Sequence, residues 1–378
     1  MSISQLGQEH IDKILDGTKI QWYHDRVRAW SRGERIAPVT IDMALTRTCN
    51  FACQYCYATL QENQRFNITK EVMHDFLDDV ADIGVRGVSL VSDGESTLNP
   101  AYAYSITYGH GRGLSMANGT NAYLLRDEAM LKEILPCLTY LRVNITAGEA
   151  GRYKEIMGVK DGYFEQVCSN IRAMAVLKRT YGYNVTIGLQ MVFLPSYIDQ
   201  VIPLAKLGAE LGADYLVIKH CSDDESGSLG VDYDKYKDEY IRHTLREAER
   251  YSNGNYIVKV KWSKIEDGNR RSYSRCYGTP FLLQISGSGL VAPCGMLFGE
   301  KYARYHIGNI TKQRFKEIWQ SDRYWDIVRL LASDKFDAQR MCGSLCLQHS
   351  VNKYLDEYIK GRPLVEPTGP LPAHGDFV

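Results

Sequence analysis

Thr40-Ile-Asp-Met-Ala-Leu-Thr-Arg-Thr-Cys49-Asn-Phe-Ala-Cys53-Gln-Tyr-Cys56 joins a short strand-like run, residues 40–46, to three closely spaced cysteines. Three thiolates at this spacing can hold three irons of a [4Fe-4S] cluster and leave the fourth iron open to a ligand that is not protein. A zinc site or three buried thiols are the alternatives left open by the spacing alone.

Outward from this stretch, residues 8–38 carry an amphipathic helical pattern. Its packing positions are Ile11, Ile14, Leu15, Trp22, Val27 and Trp30, and Pro38 closes it. From residue 40 to about 220, strand-like and helix-like segments alternate. The strands are 40–46, Gly87-Val-Ser-Leu-Val91, Gly113-Leu-Ser-Met116, Tyr140-Leu-Arg-Val-Asn144, Val185-Thr-Ile-Gly-Leu-Gln-Met191 and Tyr215-Leu-Val-Ile218. Helical patterns fill 70–83, 127–135, 163–180 and 198–211. Such alternation implies a parallel sheet with helices outside it, an α/β fold. In parallel barrels the chemistry sits at the C-terminal strand ends.

The cysteine spacing, with Tyr55 before the third thiol, resembles the signature of the radical S-adenosylmethionine (SAM) superfamily. The resemblance implies a partial (β/α)6 TIM-like barrel. It also implies SAM chelated at the open iron and cleaved by one electron to methionine and a 5′-deoxyadenosyl radical. The family's Gly-Gly-Glu type motif is matched by Asp93-Gly94-Glu95 after the second strand, with Asp93 departing from the first glycine. Asn118 in Asn118-Gly-Thr-Asn121, Asn144, Arg152 and Gln190 are the further SAM-site candidates, and the Tyr55 carbonyl is an adenine contact. Arg152 offers a two-pronged match to the SAM carboxylate.

Cys276, Cys294, Cys342 and Cys346, with a hairpin pattern over 281–292, resemble the shortened Twitch version of the SPASM extension. That implies an auxiliary [4Fe-4S] cluster in a small C-terminal β-hairpin/helix domain. Four thiolates saturate such a cluster, so electron transfer or a structural role is expected of it. The same thiolates suit zinc, and His306 and His349 are substitute ligands. The organisation expected is an N-terminal helical segment 1–38, a barrel 39–221, a connector with a charged helix 222–262, the auxiliary domain 263–350, and a C-terminal helix and Pro-rich tail 351–378. Pro363, Pro367, Pro370 and Pro372 make that tail extended, either draped over the body or disordered.

Cys137 and Cys168 read as core residues, whereas Cys221 follows the sixth strand at the expected mouth of the site. A thiol there can return a hydrogen atom to a substrate radical, as in radical epimerases. Lys219, His220, Asp223, Asp224 and Glu225 are the nearby acid–base candidates. The leading expectation is dehydrogenation of a carbohydrate-like small metabolite. The alternatives are epimerisation, modification of a ribosomal peptide, and a non-catalytic zinc protein. A flavodoxin or ferredoxin type reductase is the partner implied.

The 45 basic and 45 acidic residues among 378 cancel, which gives no field for nucleic acid or an anionic membrane. No apolar run reaches the length of a bilayer span, and the first residues lack a signal-peptide pattern. Ten cysteines without that pattern argue for metal or redox chemistry in the cytoplasm rather than a disulfide framework.

Overall fold

The computed structural model describes residues 18–64, 66–267, 270–344, 346–362 and 367–378. Strands β1 (Thr40–Met43), β2 (Gly87–Leu90), β3 (Ser115–Thr120), β4 (Leu138–Asn144), β5 (Thr186–Phe193) and β6 (Tyr215–His220) run parallel, each beside the next. They are the six strands of the partial (β/α)6 barrel. Strand side chains alternate between a helix-facing set and a lumen-facing set. Ile41, Met43, Val88, Leu90, Leu141, Val143, Ile187, Leu189, Leu216 and Ile218 form the first set and are fully buried. Burial of each contributes about 1.5–3 kcal/mol. The lumen-facing positions are polar at Asp42, Ser89, Arg142, Asn144, Gln190 and Lys219, and this set shapes the site.

The helices begin where the sequence offers caps. Thr69 accepts the Val72 amide (3.3 Å) ahead of Lys70–Ile83. Asp127 caps Glu128–Ile134, and Asp238 caps Glu239–Glu249. Each cap satisfies orphan amides of the first turn.

Several expectations are corrected. The residue 222–262 connector contains a further strand, β7 (Ile257–Val260), which pairs parallel with β6. The C-terminal hairpin, β8 (Leu282–Ile285) and β9 (Leu290–Ala292), does not stand apart: β8 pairs parallel with β1, and β10 (Gly308–Asn309) follows β9. One sheet results, in the order β10-β9-β8-β1-β2-β3-β4-β5-β6-β7. β1 is buried, so both of its edges need hydrogen-bonding partners, and β8 supplies the second. The third strand starts at Ser115 rather than Gly113, because the Gly113 amide still closes the preceding helix on the His110 carbonyl (2.9 Å).

The expected N-terminal helix of 8–38 is shorter where described: a turn at Thr18–Trp22, then His24–Ser31. Val27 is buried there, and Trp30 packs edge-on against Tyr277 and Phe281. Ile11, Ile14 and Leu15 lie outside the described residues.

The described end of the tail is draped over the body, and Pro363 lies outside the described residues. Residues 374–378 close the N-terminal end of the barrel, opposite the cysteine loop. The Asp376 carboxylate accepts from Tyr23 Oη (2.6 Å) and Ser115 Oγ (2.5 Å), and its carbonyl accepts from Thr40 Oγ1 (2.7 Å). Phe377 and His374 pack on the Tyr140 ring. Asp376→Ala leaves two hydroxyls without an acceptor, so a stability loss of about 1–3 kcal/mol is expected in urea unfolding.

Candidate active site

The three-cysteine loop rests on the end of helix Ala150–Met157. The Ala52 amide donates to the Met157 carbonyl (3.3 Å) and the Gln54 amide to that of Ile156 (3.0 Å). Gly158, with φ of +61°, follows so closely that an added Cβ would collide with the Ala52 carbonyl. Tyr55 Oη donates to Met157 Sδ (3.2 Å), and Asn121 Nδ2 donates to Asn50 Oδ1 (2.8 Å). These contacts turn Cys49, Cys53 and Cys56 toward one cavity of about 670 Å³. Burial raises their thiols, Cys49 to about 11 and Cys53 to about 12. Metal binding must displace those protons.

Asp93-Gly94-Glu95 divides its labour in a way the sequence did not disclose. Asp93 is fully buried and pairs with Arg47 (Nε–Oδ2 2.9 Å). It also accepts from Ser286 Oγ (2.6 Å) and the Gly287 amide (2.9 Å) in the β8–β9 turn. Arg47 further donates to the Gln61 carbonyl (2.8 Å) and to that of Asn63. Asp93 thus clamps the second cluster's segment to the first and is not itself in the cavity lining. Gly94, at φ of +96°, has no room for a side chain against the Thr46 carbonyl and Arg47. Glu95 does line the cavity. Its carboxylate accepts from the Asn121 amide (2.7 Å), Thr120 Oγ1 (2.8 Å) and Thr97 Oγ1 (2.7 Å). Burial nevertheless holds its acid above the ordinary range.

Two expected SAM contacts lie elsewhere. Asn118 faces the helix layer, where its Nδ2 donates to Tyr102 Oη (2.7 Å). β3 runs on to Thr120, past the expected end at Met116, so Asn118 lies within the strand on the same face as buried Met116 rather than in the turn. Asn121, three residues on, lines the cavity instead. Arg152 is engaged on the outer surface by Asp199 (2.8 Å), Glu155 (2.5 Å) and the Ser196 carbonyl (3.0 Å). Asn144 and Gln190 are brought together in the cavity, Nε2 to Oδ1 2.6 Å.

Among the acid–base candidates, Lys219 alone lines this cavity. Burial, then the charges of Arg142 and Lys264, lower its ammonium to about 7. His220 faces the opposite way, stacked edge-on to Tyr233 and Tyr236, and burial lowers it to about 4. Asp223 organises its own loop through the amides of Asp224, Leu229 and Val231. Asp224 and Glu225 pair with Lys301 at 3.0 Å. Cys221 is buried, its thiol directed to the carbonyls of Ser222 (3.4 Å) and Tyr55 (3.8 Å). Ser222, not Cys221, is in the lining. Cys168 is buried in the core and Cys137 donates back to the Glu133 carbonyl (3.5 Å).

Cys276, Cys294, Cys342 and Cys346 form a second group whose thiols lie within one another's electrostatic reach. Two residues that the sequence reading missed hold it. Asn352 Nδ2 donates to the sulfurs of Cys346 (3.5 Å) and Cys276 (3.7 Å), while its Oδ1 accepts the Tyr277 and Gly278 amides. Gln348 Oε1 accepts from the Cys276 thiol (3.4 Å). Spaced four apart, Gln348 and Asn352 fall on one face of the helix start, which is the signal that could have found them. His306 Nε2 donates to the Leu297 carbonyl (3.0 Å), and His349 Nδ1 pairs with Tyr273 Oη (3.1 Å). Both are packing residues in this arrangement. Gly295 and Met296, next to Cys294, and Leu347, next to Cys346, wall the main cavity.

The radical SAM superfamily model matches residues 43–200, and the SPASM iron–sulfur cluster-binding domain model matches residues 276–346. The chain is a radical SAM protein with a C-terminal SPASM domain. The AdoMet-dependent heme synthase of Methanosarcina barkeri is 25% identical over 330 residues, covering 81% of this chain and 88% of that protein. The sporulation killing factor maturation protein SkfB of Bacillus subtilis is 23% identical over 292 residues, covering 72% and 66%. Streptococcus suis SuiB bound to S-adenosylmethionine superposes with a TM-score of 0.60 at 15% identity, covering 80% of this chain and 71% of that chain.

The residues present fit the cofactors of this family: a [4Fe-4S] cluster with SAM at the first group, and an auxiliary cluster at the second. Among the described residues no three ligand side chains close on a point as around a single metal ion. A four-iron cube spreads its thiolates over its corners. Cys49, Cys53 and Cys56 would hold the first cluster with its open side toward the cavity, and the other four cysteines the auxiliary one. Replacement of Cys49, Cys53 and Cys56 by alanine is expected to lower iron from about eight to about four atoms per chain on anaerobic reconstitution. Asp93→Ala strands the Arg47 charge, and a loss of about 3–5 kcal/mol is expected in denaturant unfolding.

Proposed function

We propose that this radical SAM enzyme dehydrogenates a carbohydrate-like small metabolite, oxidising a carbinol carbon to a ketone. The observation that carries the reading is Lys219. Of the acid–base candidates at and after the sixth strand it alone lines the cavity that also presents the three-cysteine loop and the wall beside Cys294. The cavity volume falls in the range of small-molecule sites, about 300–1,000 Å³. The relatives do not choose, since one is named for heme synthesis and another for maturation of a killing factor.

When bound, the clusters and SAM supply a radical that removes a hydrogen atom and an acceptor for one electron. The chain's part is to seat the carbinol beside Lys219, to hold SAM at Asn144 and Gln190, and to take the hydroxyl proton on Lys219 Nζ. The substrate then loses a hydrogen atom, a proton and an electron, and its C–O bond becomes C=O. Quenching by Cys221 has weaker support, because its thiol is turned to the Tyr55 and Ser222 carbonyls. A flavodoxin or ferredoxin type reductase is the electron source in this proposal.

The test uses anaerobically reconstituted enzyme with candidate metabolites in D2O. A product lighter by two hydrogens is expected; an epimer of unchanged mass, or one carrying a deuteron, ends the dehydrogenase reading. Lys219→Gln is expected to lower kcat by about 10²–10⁴-fold. A base must be unprotonated, so wild-type kcat should rise with pH through about 7 and then level off. Arg142 and Lys264 lower this titration, while Asp42 and Cys221 oppose them. A flat profile would remove Lys219 from the role.

A further inference from the structure

The floor of the cavity holds two basic side chains that no carboxylate among the described residues meets in a salt bridge, although Asp42 lies within electrostatic reach of both. Arg142 on β4 and Lys219 on β6 flank the lumen face of β5. Neither forms an ion pair among the described residues, and their charges oppose each other. The acid of the floor, Asp42, accepts from Gln284 Nε2 (3.1 Å). The Arg142 guanidinium is hydrogen-bonded to the Tyr215 hydroxyl, but its Nε is buried with no hydrogen-bond partner among the described residues. The Tyr140 ring lies 5.5 Å from its guanidinium carbon and supports the side chain from below. Asn144 stands one pleat further toward the cysteine loop, bonded to Gln190.

A buried guanidinium that keeps one N–H unmatched and meets no carboxylate in a salt bridge is costly until an acceptor completes it. A guanidinium meets a carboxylate in two parallel hydrogen bonds, a geometry no neutral hydroxyl offers. A site built this way rejects a ligand that lacks the matching group, because the buried charge is left unpaired.

We infer that Arg142 is the anchor of a carboxylate subsite, so that the substrate is a hydroxy acid with its carboxylate on Arg142 and its hydroxyl-bearing carbon toward Lys219. The position of the hydroxyl rests on the dehydrogenation reading. The carboxylate subsite rests on Arg142 alone, on its orphaned Nε and its lack of a salt bridge. A neutral sugar offers the guanidinium no two-pronged acceptor and is a poor ligand.

The test soaks crystals of the SAM-loaded holoenzyme, grown anaerobically without organic acids, in glycolate, the smallest hydroxy acid. Ethylene glycol serves as its neutral counterpart. Glycolate is expected with its carboxylate on the Arg142 guanidinium, and ethylene glycol is expected to be absent from that position. Calorimetry should show glycolate affinity falling at least about tenfold in Arg142→Gln and partly restored in Arg142→Lys. Equal binding of both probes, glycolate absent from the floor, or affinity unchanged in Arg142→Gln each overturns the inference. If Arg142→Gln does not fold, Lys219→Gln replaces it, with a smaller loss expected and an unchanged affinity counting against the subsite. A failed dehydrogenation reading gives a different pattern: glycolate still seats on Arg142, while the product of turnover keeps all its hydrogens.

Discussion

The buried pair of Arg47 and Asp93 is the constraint on which both halves of the site depend. Arg47 sits in the turn that leads from β1 into the cysteine loop. Asp93 sits at the end of β2, and its remaining lone pairs take Ser286 and Gly287 of the C-terminal hairpin. Three segments far apart in sequence therefore share one carboxylate. An ion pair of this kind gains little net stability over an apolar substitute, because both charges lose their water. What it provides is registration: it fixes the first cysteine loop against the hairpin that leads to Cys294. The aspartate that replaces a glycine of the family pattern thus joins the cysteine loop to the C-terminal hairpin, beside the β1–β8 pairing.

Much of the fold was legible because its signals are local. A helix such as Lys70–Ile83 carries its cap and its apolar face in its own sequence, and the expected bounds coincide with the observed ones. The six parallel strands and both cysteine groups were readable for the same reason. What escaped was set by distant partners. Nothing in Leu282–Ile285 tells that it lies beside β1, because a fully buried strand reads alike in a separate hairpin or in a barrel sheet. The tail's place beneath the barrel depends on Tyr23, Thr40 and Ser115, all more than two hundred residues away.

The misplaced side chains have a narrower cause. The sequence pattern ends the third strand at Met116 and puts Asn118 in the turn beyond it. β3 runs on to Thr120, so Asn118 shares the helix-facing side of Met116, two residues back, and meets Tyr102. Arg152 shows the complementary failure. Its chemistry suits a carboxylate, and it finds carboxylates, but those of Asp199 and Glu155 on the surface. Residue type names a possible partner; only packing decides which partner is met.

Gln284 shows how the floor and the second cysteine group are mechanically one unit. Its Nε2 holds Asp42 at the floor, and its Oε1 accepts the amide of Gly295, the neighbour of Cys294. Gln61, from the segment after the first cysteine loop, donates to the Gly295 carbonyl (2.6 Å). The peptide following Cys294 is therefore gripped from both cysteine regions and from the floor at once. Gln284 thus ties the lumen-facing side of β1 to the peptide beside Cys294 through one side chain, so the position of Asp42 and that of the second cysteine group cannot be set independently.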